Sequence, residues 1–240
     1  MAWKRYTSQL YGSCKKGEGL KTLELFAFDL DGTLLDTAPD FLYAVNILRE
    51  RYRFDEADYD QVRSRVSQGA ASLASYALDL EGESAQKVEF HRQELLDIYE
   101  NCCLKYTELF DGIEKILTKL NNKQIKWGII TNKPRRFAEN IVENKLGRFK
   151  VPFLICPDDV GVRKPEPQGL IHALELTNSI PENSIYIGDH KIDITAGERA
   201  KMQTGAAAYG YIPLNDNVES WHSDHVFNEP KEIISLIDGD

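Results

Sequence analysis

Apolar residues come in short runs in this chain, and the spacing of these runs changes along the sequence. LELFAFDLD, residues 23–31, is apolar enough for a strand buried on both faces, as in a parallel sheet. After residues 110–112, strand-like runs alternate with segments of helical periodicity. The predicted strands lie at 125–132, 151–159, 184–189, 204–210 and 225–227, and the predicted helices lie near 112–122, 135–146, 166–177 and 193–202 and from Pro230 onward. This alternation predicts an α/β fold with a doubly wound parallel sheet.

The segment behind the first strand has a different pattern. From Pro39 to about Tyr106, apolar residues recur every three or four positions, as at Phe41, Val45 and Leu48, and no strand-like run interrupts them. We therefore expect about four helices inserted directly after the first strand. The predicted organisation is a discontinuous core domain of residues 23–36 and 108–240, an all-helical cap domain of residues 37–107, and a polar, mobile leader of residues 1–22.

Composition narrows the possible partners and the compartment. The 240 residues include 29 Lys and Arg against 38 Asp and Glu, a formal net charge of -9, which argues against a nucleic-acid partner. No apolar run approaches the roughly 20 residues that span a bilayer, and the N-terminus lacks the apolar core of a signal peptide, so no membrane partner is expected. The four cysteines form no CxxC pair, which favours free thiols in a reducing compartment. We expect a cytoplasmic monomer or homodimer.

Polar side chains that could act in catalysis or in ligand binding follow three of the predicted strands. Asp29 and Asp31 come at the end of the first strand, Thr131 ends the next strand along the chain, and Asp189 ends the strand at 184–189. Ligands of doubly wound sheets bind beyond the carboxyl ends of the strands. Asp193 lies one helical turn beyond Asp189, and together with Asp29 these carboxylates form an oxygen-rich site suited to Mg²⁺.

A phosphate group fits the same edge of the sheet. The Thr131 hydroxyl and the backbone amides that follow it can hold phosphate oxygens, and Lys164 supplies the cation that such an acidic group needs. Each residue also has an ordinary structural interpretation: Asp29 and Asp31 as a solvated turn, Thr131 and Asp193 as helix caps, and Lys164 as a surface lysine. Their joint occurrence at strand ends favours the functional interpretation.

Four motifs carry a family resemblance. DLDGTLLDT (29–37), IITN (129–132), Lys164-Pro165 and GDHKID (188–193) resemble the four motifs of the haloacid dehalogenase (HAD) superfamily, and the helical insert resembles its C1-type cap. The resemblance implies a HAD-like Rossmannoid core. Within the superfamily the chain is similar to the phosphoglycolate phosphatase group. The strings most similar to its N-acetylmuramic acid 6-phosphate phosphatase branch are LDTAPDF (35–41), VSQGA (66–70), ITNKPRRFAE (130–139), LICPDD (154–159) and YGYI (209–212).

The resemblance implies a covalent phosphomonoesterase mechanism. Asp29 would be the nucleophile that forms an aspartyl-phosphate, and Asp31 would act as general acid and then as general base. Mg²⁺ would be held by the Asp29 carboxylate, the Asp31 main-chain carbonyl and Asp189, and Asp193 would support this shell through water or hydrogen bonds. The residues implied to bind the phosphate are Thr131, Asn132 and Lys164. A dehalogenase is disfavoured, because the family pattern of dehalogenases lacks the second aspartate.

The predicted cap bears on the substrate. Arg63, Ser67 and Gln68 occupy the segment that matches the specificity loop of the family, and either Arg63 or Arg65 could clamp a substrate carboxylate. Ser67-Gln68-Gly69 stands where phosphoglycolate phosphatases usually have a Gly-Asn-Gly type of string, which favours a bulkier sugar acid phosphate. We expect a carboxylate-bearing phosphate ester such as 2-phosphoglycolate or N-acetylmuramic acid 6-phosphate. A phosphomutase of the β-phosphoglucomutase type and a catalytically silent binding protein remain alternatives.

Overall fold

A computed structural model describes residues 23–239, so the predicted leader, residues 1–22, lies outside the described residues. The strands are β1 (Leu25–Phe28), β2 (Leu35–Asp36), β3 (Glu108–Leu109), β4 (Lys126–Ile130), β5 (Leu154–Ile155), β6 (Ser184–Gly188), β7 (Gln203–Ala207) and β8 (His225–Phe227). Six of them form one sheet in the order β5-β4-β1-β6-β7-β8, and every neighbouring pair is parallel. The predicted parallel α/β sheet is confirmed.

The helices divide between two stretches of the chain. Four of them lie between β2 and β3, in the segment predicted to be helical, and the others alternate with the strands of the sheet. The helices are α1 (Ala38–Arg51), α2 (Tyr59–Arg63), α3 (Ala70–Ala77), α4 (Ala85–Glu100), α5 (Ile113–Asn122), α6 (Arg135–Ile141), α7 (Pro157–Val160), α8 (Gln168–Thr177), α9 (Lys191–Arg199) and α10 (Ile233–Asp238). None of the helices in the described part of the chain is long and apolar enough to cross a membrane.

Strand β1 is the centre of the molecule. All four of its residues are fully buried, because β4 and β6 pair with its two edges and apolar side chains cover both of its faces. Phe26 and Phe28 belong to the core that includes the helices between β2 and β3, whereas Leu25 and Ala27 belong to a second core on the opposite face. This burial explains why the strand reads as a continuous apolar run rather than an alternating one.

Two elements differ from the sequence prediction. The strand predicted at 151–159 is only two residues long, since Pro157 lacks a backbone N–H and begins helix α7. The second difference is a ribbon of β2 and β3, which pair antiparallel at Leu35–Leu109 and Asp36–Glu108. Two residues per strand are too few to give a periodic pattern in the sequence.

The ribbon joins the two points where the chain leaves and re-enters the sheet layer. Beside it, the fully buried Asp40 of α1 accepts hydrogen bonds from the Tyr106 backbone N–H (2.7 Å) and from the Thr107 N–H (3.1 Å) and hydroxyl (2.6 Å). One carboxylate therefore ties the beginning of the helical segment to its end.

Candidate active site

Three parallel strands deliver the predicted site residues to one edge of the sheet. Asp29 follows β1, Thr131 follows β4 and Asp189 follows β6. The backbone N–H of Asp29 still donates to the Ile187 carbonyl (2.8 Å), and that of Thr131 donates to the Ile155 carbonyl (3.0 Å). These bonds extend the sheet by one residue, so the side chains are fixed at the carboxyl ends of the strands, where such sheets bind ligands.

Lys164 lies between two of the carboxylates. Its ammonium is 3.0 Å from Asp29 Oδ2 and 2.7 Å from Asp193 Oδ1, and it donates to the Tyr186 hydroxyl at 2.7 Å. The loop that carries it is held by Asn132, whose Oδ1 accepts from the Lys164 N–H (2.8 Å) and whose Nδ2 donates to the Lys164 carbonyl (3.1 Å). Asn132 therefore fixes the lysine, in addition to lining the cavity described below.

The carboxylates outnumber the positive charge among them. Asp29, Asp189 and Asp193 are buried and each offers a carboxylate oxygen within 4.8 Å of the others. Burial, with repulsion from Asp193 and Asp31, raises the pKa of Asp29 from 3.8 to about 6 although Lys164 lowers it. Burial, together with repulsion from Asp193 and Asp29, holds the pKa of Asp189 well above its usual range. Burial acts to lower the pKa of Lys164, but Asp193 and Asp29 raise it above its ordinary value.

Asp193 has both carboxylate oxygens occupied by protein donors. Oδ1 accepts from Lys164, and Oδ2 accepts from the backbone N–H of His190 (3.0 Å) at the beginning of α9. This arrangement fits the supporting role predicted for Asp193, because a carboxylate held at both oxygens is oriented by its neighbours. Asp29, by comparison, has Oδ1 held by the Leu30 N–H at 2.8 Å and Oδ2 held by Lys164 alone.

Asp189 connects the sheet to the helical segment. Its Oδ2 accepts from the backbone N–H of Tyr211 (2.8 Å) and from the hydroxyl of Ser67 (2.8 Å), which lies just before α3. Gly32 packs directly on this carboxylate with a φ of +76°, and a Cβ at this position would lie 2.1 Å from Asp189 Oδ2. Only glycine therefore allows the turn after Asp31 to pass so close to Asp189.

A cavity of about 480 Å³ opens between this edge of the sheet and the helical segment. The predicted site residues that line it are Asp29, Asp31, Ser67, Gln68, Thr131, Asn132, Lys164 and Asp193. Aromatic rings of α1, α4 and α6 form another part of its wall: Phe41, Tyr99 and Phe137. A pocket of this size, with an apolar wall and a few convergent charges, is typical of sites for small molecules.

Comparison with known proteins gives the family. The model of the haloacid dehalogenase-like hydrolases matches residues 26–207, which include all four motifs. The chain belongs to this family. The first HAD motif supplies Asp29 and Asp31, and the cavity lies where the motifs meet.

Individual HAD proteins are similar over most of the chain. The N-acetylmuramic acid 6-phosphate phosphatase of Pseudomonas aeruginosa is 38% identical over 216 residues, which cover 90% of this chain and 95% of the relative. A phosphoglycolate phosphatase of Xanthomonas campestris pv. campestris is 34% identical over 209 residues, 86% of this chain and 92% of the relative. A crystal structure from Haemophilus somnus, described as a predicted phosphoglycolate phosphatase, superposes with a TM-score of 0.79 at 21% identity and covers 92% of this chain and 99% of its own. The predicted enzyme class, a HAD-type phosphatase, is confirmed.

The side chain of Arg63 does not lie at the substrate-binding position that the sequence predicted for it. It does not line the HAD cavity: its guanidinium donates to the Tyr209 carbonyl (2.8 Å) and lies over the Tyr211 ring, 5.2 Å from the ring centroid. The side chain of Arg63 thus contacts the core loop after β7 rather than the space where a substrate would bind. Arg65 likewise bonds within its own helix region, to Gln61.

Sequence reasoning missed Lys133, which is buried beside Asp31. Its ammonium donates to Asp31 Oδ1 (2.8 Å) and to the Tyr99 hydroxyl (3.0 Å), and the same Oδ1 accepts from the Thr37 hydroxyl (2.6 Å). The feature of the sequence that could have indicated Lys133 is its position two residues after Thr131, within a motif. Because the lysine side chain is long, its partner is set by the packing of α4, which the sequence pattern does not specify.

Proposed function

We propose that this protein is a Mg²⁺-dependent phosphomonoesterase that acts on a small, carboxylate-bearing phosphate ester through an aspartyl-phosphate on Asp29. The observation that carries the proposal is the pairing of Asp29 Oδ2 with the buried ammonium of Lys164 at 3.0 Å, at the floor of the cavity. A carboxylate that meets a phosphate dianion needs a positive charge beside it, and Lys164 supplies this charge at the reacting atom.

In the first step, Asp29 attacks phosphorus in line with the ester oxygen. The bond from an Asp29 oxygen to phosphorus forms and the phosphorus–ester oxygen bond breaks, so the leaving alkoxide needs a proton. Lys164 and the Thr131 hydroxyl are the proposed donors to the phosphate oxygens, and both line the cavity beside Asp29. Holding nucleophile and phosphate in contact supplies much of the rate enhancement, since the transition state is loose and highly charged.

Asp31 is the proposed proton donor and acceptor. Its Oδ1 is fixed by Lys133 and Thr37, while no donor among residues 23–239 hydrogen-bonds to its Oδ2, which leaves that oxygen for the substrate. Asp31 gives its proton to the leaving alkoxide. It then removes a proton from the water that attacks the phosphorus of the aspartyl-phosphate, which releases inorganic phosphate and restores Asp29.

The donor set fits Mg²⁺. Asp29 and Asp189 are buried carboxylates whose pKa values are raised by burial and by the negative charge of Asp193, and Lys164 is shared between Asp29 and Asp193. Asp29, Asp189 and the main-chain carbonyl of Asp31 are the proposed ligands, with Asp193 as support. When bound, Mg²⁺ would supply positive charge that neutralises these carboxylates and the phosphate.

The helices between β2 and β3 are proposed to act as a cap domain, residues 37–107. Two contacts across the cavity support this role: the Ser67 hydroxyl on Asp189 and the Lys133 ammonium on the Tyr99 hydroxyl. Both link a residue of this helical segment to the site, so a closed cap would shield the reaction from bulk water. A cytoplasmic enzyme without a nucleic-acid partner remains the expectation from composition.

The decisive experiment measures phosphate release from a panel of esters that includes N-acetylmuramic acid 6-phosphate and 2-phosphoglycolate, with Mg²⁺ and with EDTA. We expect release only with Mg²⁺ and its abolition in Asp29→Asn. Asp97→Asn is the matched control, because Asp97 is an exposed residue of α4 outside the cavity, and among residues 23–239 its carboxylate accepts only from Gln93. Substantial turnover by Asp29→Asn would contradict the assigned nucleophile.

Product analysis distinguishes the other functions. A phosphomutase would isomerise a sugar phosphate without net phosphate release, and a silent binding protein would release nothing from any ester. Rapid quenching during turnover should yield protein that carries one phosphoryl group on Asp29, detected by mass spectrometry of the peptide. Absence of this adduct during active turnover would refute the covalent route.

A further inference from the structure

The two lysines beside the proposed catalytic carboxylates are both paired, so neither is free to bind a second anionic group of a substrate. Lys164 is shared by Asp29 and Asp193, and Lys133 is engaged by Asp31. Both ammonium groups are nearly fully buried, and both face the site of phosphate chemistry. A carboxylate elsewhere on the substrate therefore needs a different partner, and Arg63 does not line the cavity.

Two arginines line the cavity, one from the α/β layer and one from the helices between β2 and β3. Arg163 lies in the loop before α8, next to Lys164 in sequence, and Arg92 lies on α4. Arg163 is exposed, and within residues 23–239 it forms no salt bridge. Arg92 is held by a two-pronged pair with Glu89, in which Nε and Nη2 each donate at 2.7 Å, so Nη1 remains available.

The charged groups of Arg92 and Arg163 both act on the carboxyl group of Glu89. The pKa of the Glu89 carboxyl lies below its usual value because Arg92 hydrogen-bonds to it, and the charge of Arg163 lowers it further. Arg92 hydrogen-bonds to Glu89 and Arg163 acts on its charge, so both of these cavity-lining arginines lie near one carboxyl group. Glu89 itself does not line the cavity.

We propose that Arg163 and Arg92 form an anion-binding subsite that recognises a carboxylate on the leaving group of the substrate. The inference rests on the proposed function and extends it to a substrate class: sugar phosphates that carry a carboxylate remote from the phosphate. A planar guanidinium binds a carboxylate through two parallel hydrogen bonds, and Arg163 has these donors free of protein carboxylates.

The size and walls of the cavity support a sugar between the two anionic groups. A volume of about 480 Å³ is within the range of pockets that enclose ligands much larger than a two-carbon acid. Phe41, Tyr99 and Phe137 supply apolar surface to the wall of the same cavity. Although Arg163 and Lys164 are adjacent in sequence, Lys164 is buried at the phosphate site and Arg163 is exposed in the same cavity.

The test measures binding in the Asp29→Asn protein, so that turnover does not consume the ligand. The two probes are N-acetylmuramic acid 6-phosphate and N-acetylglucosamine 6-phosphate, which differ by the lactyl ether and its carboxylate. Titration calorimetry should give tighter binding of the first probe. Arg163→Gln in the same background should weaken binding of the carboxylate-bearing probe by about 10- to 100-fold, the loss expected for a charge-assisted pair.

Further variants separate a specific subsite from general electrostatics. Arg92→Gln should weaken the same probe, and Arg163→Lys should restore only part of the affinity, since an ammonium lacks the fork of donors. Arg148→Gln is the matched control and should bind both probes as the parent does, because Arg148 lies off the cavity and pairs with Glu114.

Three results would contradict the proposed subsite, and a separate result would contradict the proposed function. Equal affinity for the two probes in the parent, an equal loss of both in Arg163→Gln, or no binding of either probe would overturn the inference. Failure of the proposed function has a different signature: no ester of the panel would be hydrolysed by the wild-type protein with Mg²⁺, whatever the binding data show.

Discussion

Asp29 is expected to make the metal-free protein less stable as the pH rises. Burial raises the pKa of its carboxyl from 3.8 to about 6, although Lys164 acts in the opposite direction. The folded carboxyl therefore keeps its proton at pH values where the unfolded one has lost it. The contribution of Asp29 to stability is fully present below pH 3.8 and is lost as the pH rises through about 6.

The structure sets the size of this effect. A rise of the pKa from 3.8 to about 6 is about two units, which corresponds to about 3 kcal/mol of unfolding free energy at 1.36 kcal/mol per unit. Roughly half of this amount is lost between pH 5 and pH 8, because the carboxyl of the unfolded chain is already mostly ionised at pH 5 and the other half has been lost below that pH. Bound Mg²⁺ should offset the loss at pH 8, by about 3 kcal/mol when its concentration is 100 times its dissociation constant.

The assay compares urea unfolding of the wild type and Asp29→Asn in EDTA across this pH range. The fluorescence of the buried Trp127 reports the transition, and linear extrapolation gives the free energy in water. The difference between the two proteins reports Asp29 together with its repulsion of Asp189, whereas the titration of His190 is common to both. We expect the wild type to lose stability relative to Asp29→Asn as the pH rises, and the variant to be the more stable protein at pH 8.

Two results would refute this reasoning. Parallel stability profiles of the two proteins from pH 5 to pH 8 would mean that the folded carboxyl of Asp29 has an ordinary pKa. A wild type that is more stable than Asp29→Asn at pH 8 in EDTA would mean that Lys164 more than offsets the burial of Asp29.

Three other substitutions probe the site and its support. Lys133→Met should lower kcat by roughly 10- to 100-fold with less effect on KM, because Asp31 loses the ammonium that positions it; steady-state kinetics within twofold of the wild type would contradict this. Gly32→Ala should lower the melting temperature and the activity together, since its Cβ would lie 2.1 Å from Asp189 Oδ2 at a φ of +76°; unchanged values of both would show that the turn can adapt. Asp40→Ala should lower the free energy of unfolding by about 3 kcal/mol, because it leaves buried donors unpaired. A loss of less than about 0.5 kcal/mol in urea unfolding, roughly the effect of a surface substitution, would argue against this role.

The sequence predicted the meeting of distant residues but not the details of their contacts. Asp29, Thr131 and Asp189 converge because parallel strands end at the same edge of a sheet, and strand order along the chain is visible as apolar runs. Lys164 is predicted as the cation that the acidic residues need, and the family resemblance supports this role against that of an ordinary solvated loop lysine. The roles assigned to these residues stay predictions until the variants are measured.

Other features depended on packing that no local pattern records. Lys133 and Arg163 flank motif residues, and their placement depends on tertiary packing: Lys133 bonds to Tyr99 of α4, and Arg163 lines the cavity. Arg63 lies on the five-residue helix α2, whose orientation turns its guanidinium towards Tyr209 instead of the cavity. Helix or strand assignment alone fixes none of these directions.

The β2–β3 ribbon has a consequence for how such molecules diversify. Because Leu35 pairs with Leu109 and Asp36 with Glu108, the chain departs from and returns to the α/β layer at adjacent points. A chimera that exchanges the intervening helices for those of another hydrolase keeps both junctions and leaves the sheet register untouched. Under the proposed function, such an exchange would alter the selectivity of the enzyme while Asp29, Asp31 and Lys164 stay at the same sheet edge, provided that the new helices replace the contacts of Ser67 and Tyr99.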